Sequence, residues 1–170
     1  MTLQTLAPIP AVTLQPEAPR DAALIEALLG RAFGPGRYTK VSERVREIAA
    51  FAPELSSCAW ADGRLIGSAR QWRVAVGGRP AIFLGPLAVE EQERHVGVGG
   101  LLVERDCELA RVAGESHVLL VGDQSYFQRF GFSAAPAAAV RLPGPVDQRR
   151  VLIRALGDDA TTLSGSVTAR

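Results

Sequence analysis

The chain has 170 residues, enough for one sizeable core. It contains 19 Lys plus Arg and 18 Asp plus Glu, and this balance of charge excludes a general nucleic-acid-binding or anionic-membrane surface. The first residues lack the pattern of a signal peptide, no apolar run could span a bilayer, and 47% of the residues are hydrophobic, as in ordinary globular proteins. Two cysteines and two histidines are too few for a disulfide framework or a tetrahedral zinc site, so we expect a cytoplasmic protein without a metal.

The first half of the chain predicts a short strand, two helices and a three-stranded antiparallel meander. Apolar residues at helical spacing indicate the helices, and proline and glycine mark their ends. Glycine-containing turns separate the strands of the meander. Residues 1–10 lack periodicity and are expected to form a loose arm. The predicted strands span 12–14, 56–61, 65–76 and 80–89, and the predicted helices span 19–33 and 41–50.

The second half predicts a long helix, a buried strand, a short helix and two closing strands. Asp123 can cap the short helix, and Gly131 can end it in the left-handed conformation. Residues 157–170 are polar and aperiodic, which predicts a disordered tail after a single domain over 1–156. The long helix spans 97–113, and the strands span 118–121, 138–142 and 151–155. The long helix is expected to direct Val98, Leu101, Leu102, Leu109 and Val112 to the core.

The turn before the long helix has the sequence Arg94-His95-Val96-Gly97-Val98-Gly99-Gly100. Its glycines let the backbone turn sharply and approach a ligand, and the free amides that begin the helix form an anion site suited to phosphate. A dinucleotide-binding fingerprint requires a third glycine where Leu102 stands, and a P-loop requires a lysine after Gly100. Neither motif is present, and a simple tight turn remains the structural alternative.

A second segment, ending at Phe132, contains a buried strand, the aromatic pair Tyr126-Phe127 and then Arg-Phe-Gly-Phe. A glycine turn followed one helix and one strand later by such a segment resembles the GNAT superfamily of acyl-CoA-dependent N-acyltransferases. The resemblance covers roughly residues 10–140 and is nearest to a bacterial branch of predicted acetyltransferases with Val-Gly-Asp and Arg-Phe-Gly-Phe elements. It implies an α/β (α+β) fold, with a mixed, mostly antiparallel sheet flanked by helices.

The resemblance also implies a site for acetyl-CoA as the acyl donor. In the family the glycine turn holds the coenzyme A pyrophosphate, and two strands splay so that freed backbone groups pair with the pantetheine arm. Pro86 interrupts the last meander strand, which indicates either this splay or a simple bulge. His95 either reaches a phosphate or is solvated. The implied acyl-CoA-binding residues are Leu87, Ala88, Val89, Arg94, His95, Val96, Gly97, Val98, Gly99, Gly100, Ser125 and Phe127.

The implied reaction is direct attack of a neutral amine on the thioester, with coenzyme A leaving as a thiolate. Many relatives protonate this thiolate with a tyrosine four residues before the glycine of the Gly-Phe pair, but that position is Phe127 here. Tyr126, one residue earlier, is the candidate catalytic acid or a structural aromatic, and Ser125 or water is the alternative donor. The candidate general bases are a water chain, Glu54, Glu90 and Glu91.

Three classes of function stay open on these residues. The first is an active N-acetyltransferase for a primary amine of a small molecule, peptide or protein. The second is a degenerate relative that binds acyl-CoA without turnover, because Phe127 cannot donate a proton. The third is an adaptor that binds a protein through a sheet edge or helix face. The expected partners are acetyl-CoA and an amine, a homodimer is left open, and Cys58 and Cys107 are expected to be core residues and not nucleophiles.

Overall fold

The structure is a computed structural model that describes residues 11–158 and 162–170, and the predicted arm over 1–10 lies outside this range. Within the described residues the α-helices are α1 (Ala22–Phe33), α2 (Val41–Ile48), α3 (Val98–Val112) and α4 (Gln124–Phe127). The strands are β1 (Thr13–Pro16), β2 (Ala50–Phe51), β3 (Ser57–Ala61), β4 (Arg64–Val76), β5 (Arg79–Val89), β6 (His117–Val121), β7 (Ala139–Arg141), β8 (Val151–Ala155) and β9 (Ser164–Thr168).

These strands join in one sheet with the order β1-β3-β4-β5-β6-β8. The neighbours on this path are antiparallel except for β5 and β6, which run parallel. The long β4 extends beyond β3, and β2 and β9 pair with its far end. The mixed, mostly antiparallel sheet that the sequence predicts is confirmed.

Helices cover both faces of this sheet, as the alternation along β3 shows. Cys58 packs in a cluster with Ile25 of α1, whereas the next residue, Ala59, packs in a cluster with Leu102 of α3. Successive side chains of a strand point to opposite faces. The helices α1 and α3 therefore lie on opposite sides of the sheet, as expected for a sheet flanked by helices.

The buried face of α3 differs from the predicted one. Leu101 and Val112, which we expected in the core, are 48% and 71% exposed. Small and polar residues occupy part of the buried face of α3. The positions of the large hydrophobic residues alone therefore predict a buried face that is rotated about the helix axis from the observed one. The buried residues of α3 are Val98, Gly99, Leu102, Val103, Asp106, Cys107 and Ala110.

The predicted disordered tail over 157–170 is wrong for residues 164–168, which form β9 between β4 and β7. Val167 is buried in the same cluster as residues of β4 and β7. Gly165 has φ +110° and lies so close to Gly77 that a Cβ there would be 2.7 Å from the Gly77 Cα. Because the strand docks partly through this backbone contact between two glycines, hydrophobic periodicity does not reveal it.

Asp106 is a buried carboxyl group between α3 and the sheet. It is 0% exposed, and neither carboxylate oxygen has a hydrogen-bond partner among the described residues. Burial raises the pKa of Asp106 well above its usual range, and the nearby Ser57 hydroxyl opposes this shift only in part. The folded protein therefore holds this proton more tightly than the unfolded chain does.

We expect Asp106→Asn to gain stability relative to the wild type as pH rises. The stabilisation linked to the raised pKa is fully present below pH 3.8, the ordinary pKa of Asp106 in the unfolded chain. It is lost as the pH rises from there toward the higher pKa of Asp106 in the folded protein. The free energy of unfolding of the wild type should fall by up to about 1.4 kcal/mol per pH unit between these two pKa values, and that of Asp106→Asn should not. Urea unfolding of both proteins at several pH values measures the difference.

The matched control for Asp106 is Asp62→Asn, because Asp62 is exposed in the turn between β3 and β4. This variant should follow the wild type at every pH. If the free-energy difference between Asp106→Asn and the wild type did not change with pH, Asp106 would not be a proton-binding core residue.

Candidate active site

A divergence of β5 from β6 creates the site. Among the described residues, the pairing of these two strands is confined to Ile82 with Val118 and Phe83 with Leu119, although β5 continues to Val89. At the same point β5 carries a bulge against β4, because the single residue Arg70 of β4 faces two residues of β5, Gly85 and Pro86. Pro86 therefore marks both a bulge and the start of the splay, which the sequence presented as alternatives.

The divergent strands enclose a cavity of about 520 Å³, within the usual range of ligand-binding pockets. We call this cavity the donor cleft. Its walls are the bulged part of β5 (84–87), the end of β6 with Gly122, the helix α4, and the segment from the end of α1 into α2. Leu87, Tyr126 and Phe127 are the predicted site residues that line the donor cleft, whereas Ala88, Val89 and Ser125 do not.

The glycine turn lies beside this cleft, and it leaves the first backbone amides of α3 without helical partners. Gly97 adopts the left-handed conformation with φ +80° and leads into α3. The first backbone bond of α3 runs from the Leu101 amide to the Gly97 carbonyl, so the three amides at 98–100 precede the helical bonding pattern. Arg94 and His95 are exposed, and Arg94 Nε donates to the Val89 carbonyl at 3.3 Å.

Tyr126 connects the donor cleft to the glycine turn. A Cβ placed on Gly99 would lie 2.9 Å from the Tyr126 hydroxyl, so this hydroxyl contacts the first turn of α3. Tyr126 is 36% exposed and its ring meets the Phe127 ring edge-on at 4.9 Å. Phe127 points the other way, because its ring would lie 2.4 Å from a Cβ on Gly122. The aromatic pair thus places its one hydroxyl group at the boundary between cleft and turn.

The chain is similar to known proteins over most of its length. The chain is 31% identical over 146 residues to the uncharacterized N-acetyltransferase YhbS of Escherichia coli K12, and the match covers 85% of this chain and 87% of YhbS. This chain belongs to the GNAT family of N-acetyltransferases. It is also 28% identical over 155 residues to YjhQ, another uncharacterized N-acetyltransferase of E. coli K12, over 86% of both chains. No protein-family model matches the chain.

Two solved GNAT structures resemble this one over nearly their whole length. YhbS of E. coli, solved in complex with CoA, has a TM-score of 0.79 and 28% identity, with 95% of this chain and 91% of that chain covered. A GNAT acetyltransferase of Brucella melitensis, solved with acetyl-CoA, has a TM-score of 0.69 and 27% identity, with 94% and 96% covered. The GNAT fold that the sequence predicts is therefore confirmed.

The structure does not place the predicted general bases of this GNAT protein at the cleft. Glu54, Glu90 and Glu91 line neither the donor cleft nor the second cavity beside it. Glu54 accepts a hydrogen bond from Arg73, which lowers the pKa of Glu54, and Glu90 pairs with Arg31 at 2.5 Å. No spacing in the sequence selects other carboxylates as general bases. The acidic residues that line the two cavities are Glu26, Glu43, Glu47, Asp123 and Asp147.

Both cysteines are buried free thiols, as the sequence predicts. Cys58 and Cys107 are 0% and 1% exposed, and neither lines a cavity. Burial raises the pKa of each thiol to about 12. A thiol with such a pKa is a poor nucleophile at neutral pH, because the reactive species is the thiolate.

We expect the double variant Cys58→Ala and Cys107→Ala to keep its turnover number in acetyl transfer. Neither thiol can reach the donor cleft or ionise near neutral pH, so direct transfer needs neither. Initial rates of thiol release, with the thermal midpoint as a check of folding, test this. A folded double variant that binds acetyl-CoA but has lost turnover, or a trapped acetyl-cysteine, would contradict direct transfer.

The described parts of the chain, 11–158 and 162–170, contain no group of three or more His, Cys, Asp or Glu side chains that could hold a metal ion. Within the same residues, none of the helices has the length and apolar character needed to cross a membrane. His95 is exposed in the glycine turn, whereas His117 is buried at the start of β6 next to the Ser116 hydroxyl.

Proposed function

We propose that this GNAT protein binds acetyl-CoA in the donor cleft and transfers the acetyl group to a primary amine by direct attack. The observation that carries the proposal is the divergence of β5 from β6 at Pro86, next to the free amides that begin α3. The space between the diverging strands suits an extended, partly apolar arm, and the free amides suit a phosphate group. The CoA and acetyl-CoA complexes of the two solved relatives support this assignment.

In this proposal the donor is held mainly by backbone groups. The amides at 98–100 and the charge of Arg94 bind the pyrophosphate, and the positive end of the α3 dipole strengthens this contact. The part of β5 from Leu87 to Val89 binds the pantetheine arm along the side that β6 leaves uncovered. Phe127 flanks the arm from α4, and His95 lies at the solvent side of the phosphates.

The reaction requires a proton for the departing thiolate, and we propose Tyr126 as its donor. Tyr126 lines the donor cleft and carries a hydroxyl, whereas Phe127 has none and Ser125 does not line the cleft. Its hydroxyl contacts α3 at Gly99, and reaching the sulfur requires rotation of the exposed side chain. Catalytic hydrogen bonds often form only when substrates are bound, so this geometry is compatible with the role.

The acceptor amine enters, in this proposal, from the side of α1 and α2. A second cavity of about 260 Å³ lies there and shares Leu29, Arg37, Arg46 and Pro86 with the donor cleft. Pro86 marks the place where the thioester would meet the amine. The carboxylates of Glu26, Glu43 and Glu47 line this second cavity and can draw a proton from the incoming ammonium group.

Two measurements on the purified protein test the proposed function. Calorimetry with acetyl-CoA tests donor binding, and release of free thiol in the presence of an amine panel tests transfer. We expect binding without a covalent acetyl-enzyme and thiol release that depends on the amine. Absence of acetyl-CoA binding to the folded protein would overturn the assignment of the cleft.

Phe127 favours a second candidate, a GNAT-like protein that binds acyl-CoA without turnover. The position where many relatives have a catalytic tyrosine carries no hydroxyl here, and its ring packs against Gly122 and Phe132. Acetyl-CoA binding without thiol release, for every amine in the panel, would support this candidate over the transferase.

We also propose a cytoplasmic location, on the basis of the two thiols. Both are free cysteines of the core, which suits a reducing compartment. Fractionation of cells that express the protein, with known marker proteins for each compartment, tests the location.

A further inference from the structure

The second cavity, which we call the acceptor pocket, has a mixed and strongly charged lining. Three arginines face three glutamates there, together with Trp72 and Tyr38. Its volume of about 260 Å³ lies just below the usual range for ligand pockets, which indicates a small acceptor. The arginines are Arg37, Arg46 and Arg70, and the glutamates are Glu26, Glu43 and Glu47.

Two of the three arginines make several hydrogen bonds within the protein itself. Arg70 donates to both carboxylate oxygens of Glu17 at 2.9 and 3.0 Å, and to Glu26 at 3.2 Å. Arg37 donates to Glu26 at 2.7 Å and to the Tyr38 hydroxyl at 2.5 Å. These ion pairs join α1 to β4 and to the segment between α1 and α2, and they form one wall of the pocket.

Arg46 has fewer partners than the other two arginines, and its guanidinium has unused donors. Its side chain is 11% exposed, and its one ion pair within the described residues joins Nη2 to Glu43. A guanidinium carries five N–H donors in a fixed fork, so most of the donors of Arg46 remain for a ligand. Arg46 also lines both the acceptor pocket and the donor cleft.

Arg46 lies close to two other positively charged side chains. Burial, together with the nearby charges of Arg37 and Arg70, lowers the pKa of Arg46 to about 10, although Glu26 opposes this shift. Arg46 therefore stays charged at neutral pH at a cost that a bound anion would offset. A planar carboxylate matches the fork of the guanidinium through two parallel hydrogen bonds.

We propose that Arg46 binds a carboxylate of the acceptor, so that the acceptor is a small amino acid or a closely related amino carboxylate. This proposal rests on the proposed transferase function. The mixed lining of the pocket fits such a zwitterion, since its arginine binds the carboxylate and its glutamates attract the amine. With the carboxylate at Arg46, the amine faces Pro86, where the two cavities meet.

The test compares matched acceptors in thiol release from acetyl-CoA. The panel contains the standard amino acids as free acids and as their α-amides, with polyamines and a lysine-containing peptide as other amines. We expect the best free acid to exceed its own amide in kcat/KM by about tenfold or more, the usual size of a charged hydrogen bond. In Arg46→Gln this ratio should fall to about one, and Arg46→Lys should keep part of it.

Arg44→Gln is the matched control, because Arg44 is exposed on the same helix and lines neither cavity. It should keep the wild-type ratio of acid to amide. The thermal midpoint of each protein separates acceptor recognition from damage to the fold, and calorimetry checks that each protein still binds acetyl-CoA. If Arg46→Gln does not fold, the wild-type ratio and Arg46→Lys carry the test.

Several results would overturn the inference. Amides that react as well as acids, or a ratio that persists in Arg46→Gln, would remove Arg46 as the carboxylate site. Thiol release with polyamines or the peptide but with no amino acid would exclude the proposed substrate class while leaving the transferase function intact. No thiol release with any amine, despite acetyl-CoA binding, would instead overturn the transferase function itself.

Discussion

A Gly99→Ala variant should fold and bind acetyl-CoA about 10- to 100-fold more weakly than the wild type, the range expected for loss of a charge-assisted hydrogen bond. Gly99 is buried in the first turn of α3, where the proposed phosphate site lies. An added Cβ takes the space that a phosphate oxygen needs to reach the amides of that turn. Alanine is the better helix former, so the helix itself is not weakened. Calorimetric titration with acetyl-CoA measures the loss.

The contact between Tyr126 and Gly99 requires a control for this experiment. The new Cβ would lie 2.9 Å from the Tyr126 hydroxyl, so a displaced tyrosine could also weaken binding. Adding Tyr126→Phe to Gly99→Ala removes that collision and should not restore affinity if the phosphate site is the cause. Gly30→Ala in α1, where a Cβ has open space, should leave affinity unchanged. Wild-type affinity in Gly99→Ala would remove the turn from the donor site.

Tyr126→Phe should lower the turnover number by about a hundredfold while leaving acetyl-CoA affinity nearly unchanged. Loss of one general acid typically costs about a hundredfold to ten-thousandfold in rate. The lower end applies here because a thiol with a pKa of about 8.5 leaves readily as the thiolate. Turnover at saturating substrate and its dependence on pH are the measurements, and the alkaline limb of the profile should change in the variant.

A hydroxyl swap provides the matched control for Tyr126. The double variant Tyr126→Phe and Phe127→Tyr keeps one tyrosine in the pair but moves its hydroxyl to the position that many relatives use. It should recover much of the turnover that Tyr126→Phe loses. If Tyr126→Phe retained wild-type turnover, Tyr126 would be a packing residue, and water or Ser125 would be the remaining proton source.

The parts of the molecule that the sequence predicts well are those that local chemistry decides. Gly97 and Gly131 adopt the left-handed conformation that their places in the two motifs require, with φ +80° and +82°. The turns at Asp62-Gly63 and Gly77-Gly78 join the antiparallel strands as expected. Turn residues act through the backbone of a few neighbouring residues, so a short stretch of sequence contains the information.

The parts that the sequence does not predict depend on contacts between distant segments. Arg46 becomes part of a site only because α2 docks near Arg70 of β4 and Pro86 of β5. By itself, the sequence around Arg46 predicts only an amphipathic helix with an i,i+3 pair to Glu43. The burial of Asp106 is similar, because charge on a helix normally indicates the solvent face, and here packing against β3 and β4 decides otherwise.

Because β9 pairs with β4 and β7, its removal would expose unpaired strand edges. Deleting residues 164–168, a segment polar enough to look dispensable, would open the edges of β4 and β7 that β9 now covers. Unpaired edges recruit strands from other molecules, and Val140 and Val76 would lose part of their apolar cover at the same place. Removing that segment to aid crystallisation would therefore favour aggregation of the protein instead of crystals.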